Sequence, residues 1–320
     1  MANPQRVIID VDPGVDDALA LLMATASREL EILGVTVVSG NVPLDTGTRN
    51  ALDVLFLAGA GDVRVFRGAD RPLVREPVHT REVHGERGLG SAELLRSDAP
   101  AEENAVGFLV DRIAPDVSVI AVGPLTNLAQ AERECPGLLA RAREIVVMGG
   151  AIRAPGNSSP GAEYNFFADP HAAREVVAAN ANLTLVPLDV THQVGVPAGA
   201  IASLEESERV RFFEQASRVV VSHGKATGGF EGIHLHDPVA VGWALAPELF
   251  STEEFWIDVE TTGELTSGQV VVDERRVDEA KQRGVLVRCL TGARVSDFLT
   301  LFSNLALGTS WPQGEARSSR

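Results

Sequence analysis

The chain has 320 residues, 45% of them hydrophobic, a formal net charge of −16 and a pI of about 4.9. That length supports a large core, with one α/β domain ordinary and two the alternative, while the acidic balance without a basic stripe excludes a general nucleic-acid binder. No apolar run approaches a membrane span, no signal segment precedes the first apolar run, and Cys135 and Cys289 lie far apart without C-x-x-C spacing, so a reducing, cytoplasmic setting is expected.

In chain order, Val7-Ile8-Ile9 reads as a short buried strand, broken at Pro13-Gly14 and followed by a helix over Val15 to Ala26. Four carboxylates, Asp10, Asp12, Asp16 and Asp17, crowd that turn. Helix capping accounts for one or two of them. Four repel one another unless something positive sits among them, and oxygen-only donors suit a hard cation, Ca²⁺ or Mg²⁺.

Glu31 to Ser39 is a second strand, ending at Gly40-Asn41, and Leu44 to Ala60 a helix. A short strand over Val63 to Phe66 leads into a long polar segment, Arg67 to Gly90, whose length marks a functional loop. It carries His84-Gly85-Glu86-Arg87-Gly88-Leu89-Gly90: either a histidine-bearing loop that closes over a substrate or a flexible turn. A helix over Glu102 to Ala114, a strand over Val117 to Val122 and a helix opened by Gly123-Pro124 come next. The strand Glu144 to Met148 runs into a glycine-rich loop, Gly149 to Ala168. There Asn157, Glu163 and Asn165 offer donors and acceptors suited to sugar hydroxyls, or serve as turn formers.

Asp169-Pro170 caps a helix to about Asn180, and Leu183 to Leu188 is a strand. Glu208 to Ser222 is an amphipathic helix, and His223 to Leu235 a mobile glycine-rich stretch. His236-Asp237-Pro238 starts a helix to about Ala246: a plain cap, or a further carboxylate for a metal with an imidazole beside it as proton donor. Phe255 to Val259 and Gln269 to Val272 suggest a hairpin, Val285 to Cys289 a strand, and Val295 to Leu307 the last helix. Strand–helix alternation predicts an α/β fold, a mostly parallel open sheet with helices on both faces. Ligands in such sheets bind beyond the carboxyl ends of the strands, where Asp10 to Asp17, Asn41, Val122 and Asn157 to Asn165 fall. One domain over 1–310 with a polar tail over 311–320 is expected. No phosphate loop, G-x-S-x-G elbow or H-E-x-x-H occurs.

Asp10-Val-Asp-Pro-Gly-Val-Asp-Asp17 resembles the N-terminal signature of the inosine-uridine preferring nucleoside hydrolase family. Ser39-Gly40-Asn41, Gly123-Pro124-Leu125-Thr126-Asn127, Val147 to Gly150, Glu163-Tyr164-Asn165, His236-Asp237-Pro238 and Gly268 to Asp273 resemble its later blocks in order, and the similarity runs from about residue 6 to 305. The resemblance implies a Rossmann-like nucleoside hydrolase fold, hydrolysis of the N-glycosidic bond of ribonucleosides to base and ribose, and a tightly bound Ca²⁺. Carried over by position, Asp12, Asp17 and Asp237 hold the metal through carboxylates and Val122 through its carbonyl, with Asp10 supporting that shell. Asp16 is the general base on a metal-bound water. Asn41, Asn157, Glu163 and Asn165 hold ribose hydroxyls, Met148 lines the sugar pocket, His84 closes on the substrate, and His236 sits near the base as general acid. A homodimer or homotetramer is implied, with a small nucleoside as the partner.

The sequence departs from the family at Arg87, where an acidic residue is more usual, and upstream of His236, where His223, Phe230 and His234 each compete to face the base. The three tryptophans, Trp243, Trp256 and Trp311, give no sign of a base stack. Two other readings remain: a sugar or nucleoside sensor on the same fold, and a Mg²⁺-dependent phosphatase with an aspartyl-phosphate, which needs a well-placed lysine that neither Lys225 nor Lys281 supplies.

Overall fold

A computed structural model describes residues 3–311 apart from Asn180, Arg276, Glu279 and Ala280. The elements run β1 (Gln5–Val11), α1 (Val15–Ala26), β2 (Leu30–Val37), α2 (Leu44–Leu57), β3 (Val65–Arg67), α3 (Arg81–His84), α4 (Ala105–Arg112), β4 (Val117–Ala121), α5 (Thr126–Glu134) and β5 (Glu144–Met148). They continue with α6 (Tyr164–Ala168), α7 (Pro170–Ala178), β6 (Leu183–Val186), α8 (Leu188–Thr191), β7 (Gly195–Pro197), α9 (Ala198–Ala202), α10 (Glu208–Thr227) and β8 (Gly232–His234). The last are α11 (His236–Leu245), β9 (Phe250–Val259), β10 (Val270–Val272), β11 (Val285–Ala293) and α12 (Val295–Phe302).

Nine strands form one sheet in the order β10-β9-β11-β6-β5-β4-β1-β2-β3. Pairing is parallel from β3 through to β11, and β9 enters antiparallel to both β11 and β10, which gives the expected late hairpin. Alternate residues explain the burial on both faces. Val7, Ile9 and Val11 enter one apolar cluster with α1, α2, α10, α11 and α12, while Ile8 points into the other with α4, α5 and α7. β4 and β5 alternate likewise, so these strands are apolar at most positions on both faces, as a doubly covered parallel sheet demands.

The chain leaves β1 towards β2 and β3, then returns to β4 on the other side of β1. The switch point lies between β1 and β4, and the aspartate turn occupies its carboxyl end. α1 is enclosed almost all round: Leu19, Leu21, Leu22 and Met23 are fully buried, each contributing ~1.5–3 kcal/mol of transfer free energy. It packs on α2, α11 and the wider π turn Ser303–Leu307.

Some boundaries move. The segment Gly149 to Ala168 is not all loop, since α6 closes it. α10 passes Ser222 and runs to Thr227, ending at Gly228 in the left-handed conformation (φ 71°) that favours glycine there. The glycine-rich stretch after it contains β8, which pairs antiparallel with β7 as a small second sheet. α8 and α9 have no counterpart in the sequence reading. Of the expected polar tail over 311–320, residues 312–320 lie outside the described residues, and Trp311 is buried rather than part of a polar tail.

Candidate active site

The floor of the site is the β1–α1 turn. Asp10, next to last in β1, is in register with Thr36 of β2; it accepts hydrogen bonds from the Thr36 hydroxyl and from Asn127 Nδ2 at 2.8 Å. Asp12 Oδ2 accepts the Asn41 N–H at 2.7 Å. A Cβ on Gly40 would overlap the Asp12 carboxylate, and one on Gly123 would come within 2.8 Å of its Oδ1, so both loops need glycine to close on this side chain. Asp17 closes the first turn of α1 by accepting the N–H groups of Asp12 and Gly14, each at 2.9 Å. Asn41 Nδ2 stands 3.3 Å from Asp17 Oδ2.

Asp237 lies in the first turn of α11, as Asp16 and Asp17 lie in the first turn of α1. Because the two helices pack together, their N-termini meet, and both helix dipoles favour negative charge there. One carboxylate oxygen each from Asp16, Asp17 and Asp237 falls within 4.8 Å of the others. Asp12 stands beside this trio rather than in it. Burial raises every one of these acids: Asp10 to about 7, Asp16 and Asp17 to about 6, and Asp12 and Asp237 well above the usual carboxylate range, with mutual repulsion adding to it for Asp10, Asp12, Asp17 and Asp237. Asp10 Oδ2, Asp12 Oδ1 and Asp16 Oδ1 have no hydrogen-bond partner. Among the described residues no ion pair reaches these acids. Buried, unpartnered, oxygen-only donors with no counter-charge fit a hard cation.

Above the floor opens a cavity of about 520 Å³, within the range of small-molecule sites. Asp16, Asn41, His84, Val122, Met148, Asn157, Glu163, Asn165, His236 and Asp237 all line it; Asp10, Asp12 and Asp17 stand behind that lining. Among the described residues, neither lysine nor arginine lines it, which removes the basic group an aspartyl-phosphate mechanism requires.

Along one wall of the cavity, Glu163 Oε1 accepts the Asn165 N–H at 2.9 Å, while Oε2 accepts Gly150 N–H at 2.9 Å and Phe166 N–H at 3.2 Å. It thereby caps α6, and burial still lifts it to about 7. Asn165 Nδ2 donates to the Val122 and Met148 carbonyls at 2.8 and 3.1 Å, which leaves Oδ1 for a ligand. Asn41 Oδ1 accepts the Thr80 hydroxyl at 2.7 Å. Asn157 is exposed at the rim. The histidine loop is tied down: His84 Nδ1 accepts the Val15 N–H at 3.1 Å, and Asn50 Nδ2 donates to the Arg87 carbonyl at 2.7 Å. Gly14 leaves room for that approach, since a Cβ there would sit 2.7 Å from both His84 Nδ1 and Asn41 Nδ2. The Arg87 side chain is 66% exposed beside Glu93 and does not line the cavity.

At the far end, His223, Phe230 and His234 all line the cavity, so the three competitors are neighbours. His192, which the sequence reading passes over, joins them. Its ring centroid is 5.1 Å from that of His234 and 5.7 Å from that of His236, and Phe230 lies 4.7 Å from His234. Burial keeps His84 and His234 down at about 4 and His236 well below the ordinary imidazole range, all neutral near pH 7. His236 Nδ1 lies 2.8 Å from the Thr191 hydroxyl. No tryptophan lines the cavity; Trp243 Nε1 donates to Glu144 at 3.0 Å. Also missed are His79 and Thr80, which line the pocket because the long loop folds back over the end of β2 and α6; Tyr164 OH of α6 donates to the Val78 carbonyl at 2.6 Å.

Comparison with known proteins follows the same lines. The sequence model described as inosine-uridine preferring nucleoside hydrolase matches residues 7–300. A pyrimidine-specific ribonucleoside hydrolase of Salmonella enteritidis is 39% identical over 286 residues, covering 85% of this chain and 89% of the relative. An uncharacterised protein of Schizosaccharomyces pombe is 41% identical over 275 residues, covering 84% and 89%. Among solved structures, a purine-preferring ribonucleoside hydrolase from Gardnerella vaginalis superposes with a TM-score of 0.86 at 30% identity, covering 95% of this chain and 98% of that one.

Proposed function

The chain belongs to the inosine-uridine preferring nucleoside hydrolase family and is a ribonucleoside hydrolase; from that premise we propose that it splits uridine- and inosine-class nucleosides with Asp16 as general base beside a calcium ion. The observation that carries this reading is the meeting of Asp16, Asp17 and Asp237 from opposite ends of the chain with no basic side chain among them.

Asp12, Asp17 and Asp237 would hold the ion with the Val122 carbonyl, and Asp10 would back them. The unpartnered Asp12 Oδ1, next to Gly123, supports that set. Such an ion supplies positive charge that makes a nearby water a better nucleophile, and coordination sites for two sugar hydroxyls. Asn41, Asn157, Glu163 and Asn165 orient the ribose, with Met148 along its face. As the C1′–N bond lengthens, positive charge grows on the sugar, and the buried carboxylates stabilise it. Water adds its oxygen to C1′ and gives its proton to Asp16, whose Oδ1 has no competing partner. The base leaves with the electron pair of the broken bond, with His236 beside it as proton donor.

His223, Phe230, His234 and His192 face the base in this reading. A pyrimidine-specific relative and a purine-preferring structural neighbour bracket the choice, which supports a range that includes both ring types. The proposal extends to a cytoplasmic homodimer or homotetramer in purine and pyrimidine salvage, for which two unpaired cysteines and the family likeness are the support. No helix among the described residues is long and apolar enough to cross a membrane. The test is a reducing-sugar assay with uridine and inosine. Ribose release is expected, lost on exhaustive chelation and restored by Ca²⁺. Release that survives removal of all divalent ions overturns the calcium reading, and binding without release would make the protein a sensor.

A further inference from the structure

α8 is four residues long, yet it connects the two ends of the cavity. Its Asp189 carboxylate accepts three consecutive backbone N–H groups, from Ile152 and Arg153 at 2.7 Å and Ala154 at 3.1 Å, in the loop that leads to Asn157. Gln193 Nε2 braces the next turn by donating to the Asp189 and Thr291 carbonyls at 2.8 and 3.0 Å. Thr191, fully buried, is therefore held in a fixed place, and its hydroxyl lies 2.8 Å from His236 Nδ1.

That hydroxyl has no other hydrogen-bond partner among the described residues. Were Nδ1 the donor, the hydroxyl hydrogen would be buried without an acceptor, which costs ~1–3 kcal/mol. The hydrogen therefore runs from Thr191 Oγ1 to Nδ1, and a ring whose Nδ1 accepts carries its own hydrogen on Nε2, the nitrogen left for the cavity. We propose that Thr191 is a positioning residue that fixes His236 in the Nε2–H form, so that the imidazole presents a donor to the departing base. The inference rests on the placement of His236 at the base made above.

Imidazole nitrogen NMR of the wild-type protein reads the form directly. A pyrrole-like Nε2 and a pyridine-like Nδ1 on His236 are expected, and the reverse pattern overturns the proposal whatever the variants do. Kinetics then separate a positioning role from a structural one. With uridine, which needs help to expel its base, Thr191→Val should lose about 100-fold in kcat/KM, the scale of general acid catalysis. With para-nitrophenyl β-D-ribofuranoside, whose phenolate leaves unaided, the loss should be far smaller, and Thr191→Ser should retain most of the wild-type rate on both. Equal losses on both substrates would make Thr191 merely structural and overturn the proposal. A nucleoside-selective loss in His236→Ala with none in Thr191→Val overturns the Thr191 assignment and leaves His236 in place. No selectivity in either variant overturns the His236 placement, and this inference with it.

Discussion

The two ends of the cavity are built differently. At the floor, Asp10, Asp12 and Asp17 are fully buried and tied by named bonds to β2, α5 and the Asn41 loop. At the other end, His192 after α8, His223 in the last turns of α10, Phe230 in the loop that follows it and His234 on β8 are half-buried, and His192, Phe230 and His234 touch ring to ring; His234 Nδ1 has no partner. Directional bonds to the main sheet fix atoms to within the tolerance that bond-breaking needs. Ring contacts on a separate sheet tolerate different shapes. In the proposed reading the reaction belongs to the first region, and the second is the base end, where the base is chosen.

The largest expected effect breaks the floor. Asp16→Asn should reduce kcat by about 1,000-fold or more, the upper range for a lost general base, while calorimetric titration shows Ca²⁺ affinity largely kept. Because Asp16 sits inside the three-carboxylate cluster, a parallel loss of affinity would make it a ligand instead. Next, 2′-deoxyuridine should react more than roughly 100-fold more slowly than uridine by kcat/KM, the penalty for leaving a site built around a hydroxyl unpaired. Comparable rates would remove the diol from the account. Gly40→Ala should displace the Asp12 carboxylate and weaken Ca²⁺ binding by about 10–100-fold, as lost support behind a metal ligand does; unchanged affinity would show that Asp12 is not part of the shell.

The base end should respond in preference rather than in rate. Phe230→Ala should change the uridine-to-inosine ratio of kcat/KM by about 10-fold, the worth of a lost aromatic contact, with ribose inhibition unaltered. A fall in both substrates alike would place Phe230 in the common machinery. The smallest effect is Arg87→Ala, which should alter steady-state constants by less than about twofold, because an exposed side chain paired only with an exposed acid contributes little.

Much of the floor was legible because its signal is local. Val15–Ala26 forms the helix that the Ala/Leu pattern and the Pro13-Gly14 break predict, and four aspartates in one turn need no tertiary knowledge to look unusual. From its own stretch Asp237 could be a plain cap or a metal carboxylate, and only the family resemblance chose between them, since helix packing, not spacing, brings it there. The base end resisted for physical reasons. α8 is too short to show a helical period, β7 and β8 have three residues each, and Gly224 reads as a breaker although α10 passes through it. Glu163 and Asn165 illustrate a subtler limit. Their residue types suggest a grip on hydroxyls, but most of their hydrogen-bonding capacity goes to backbone groups contributed by β4, β5 and α6.

The pairing of α1 with α11 also governs when the cluster can exist during synthesis. Asp16 and Asp17 are made before Asp237, and α1 is buried against both α11 and the turn Ser303–Leu307, which follow it in the chain. A nascent chain halted before His236 lacks one of the three clustered carboxylates and has an unsupported helix. The clasp cannot form until α11 has been made, so its mutual repulsion does not burden the chain before that point.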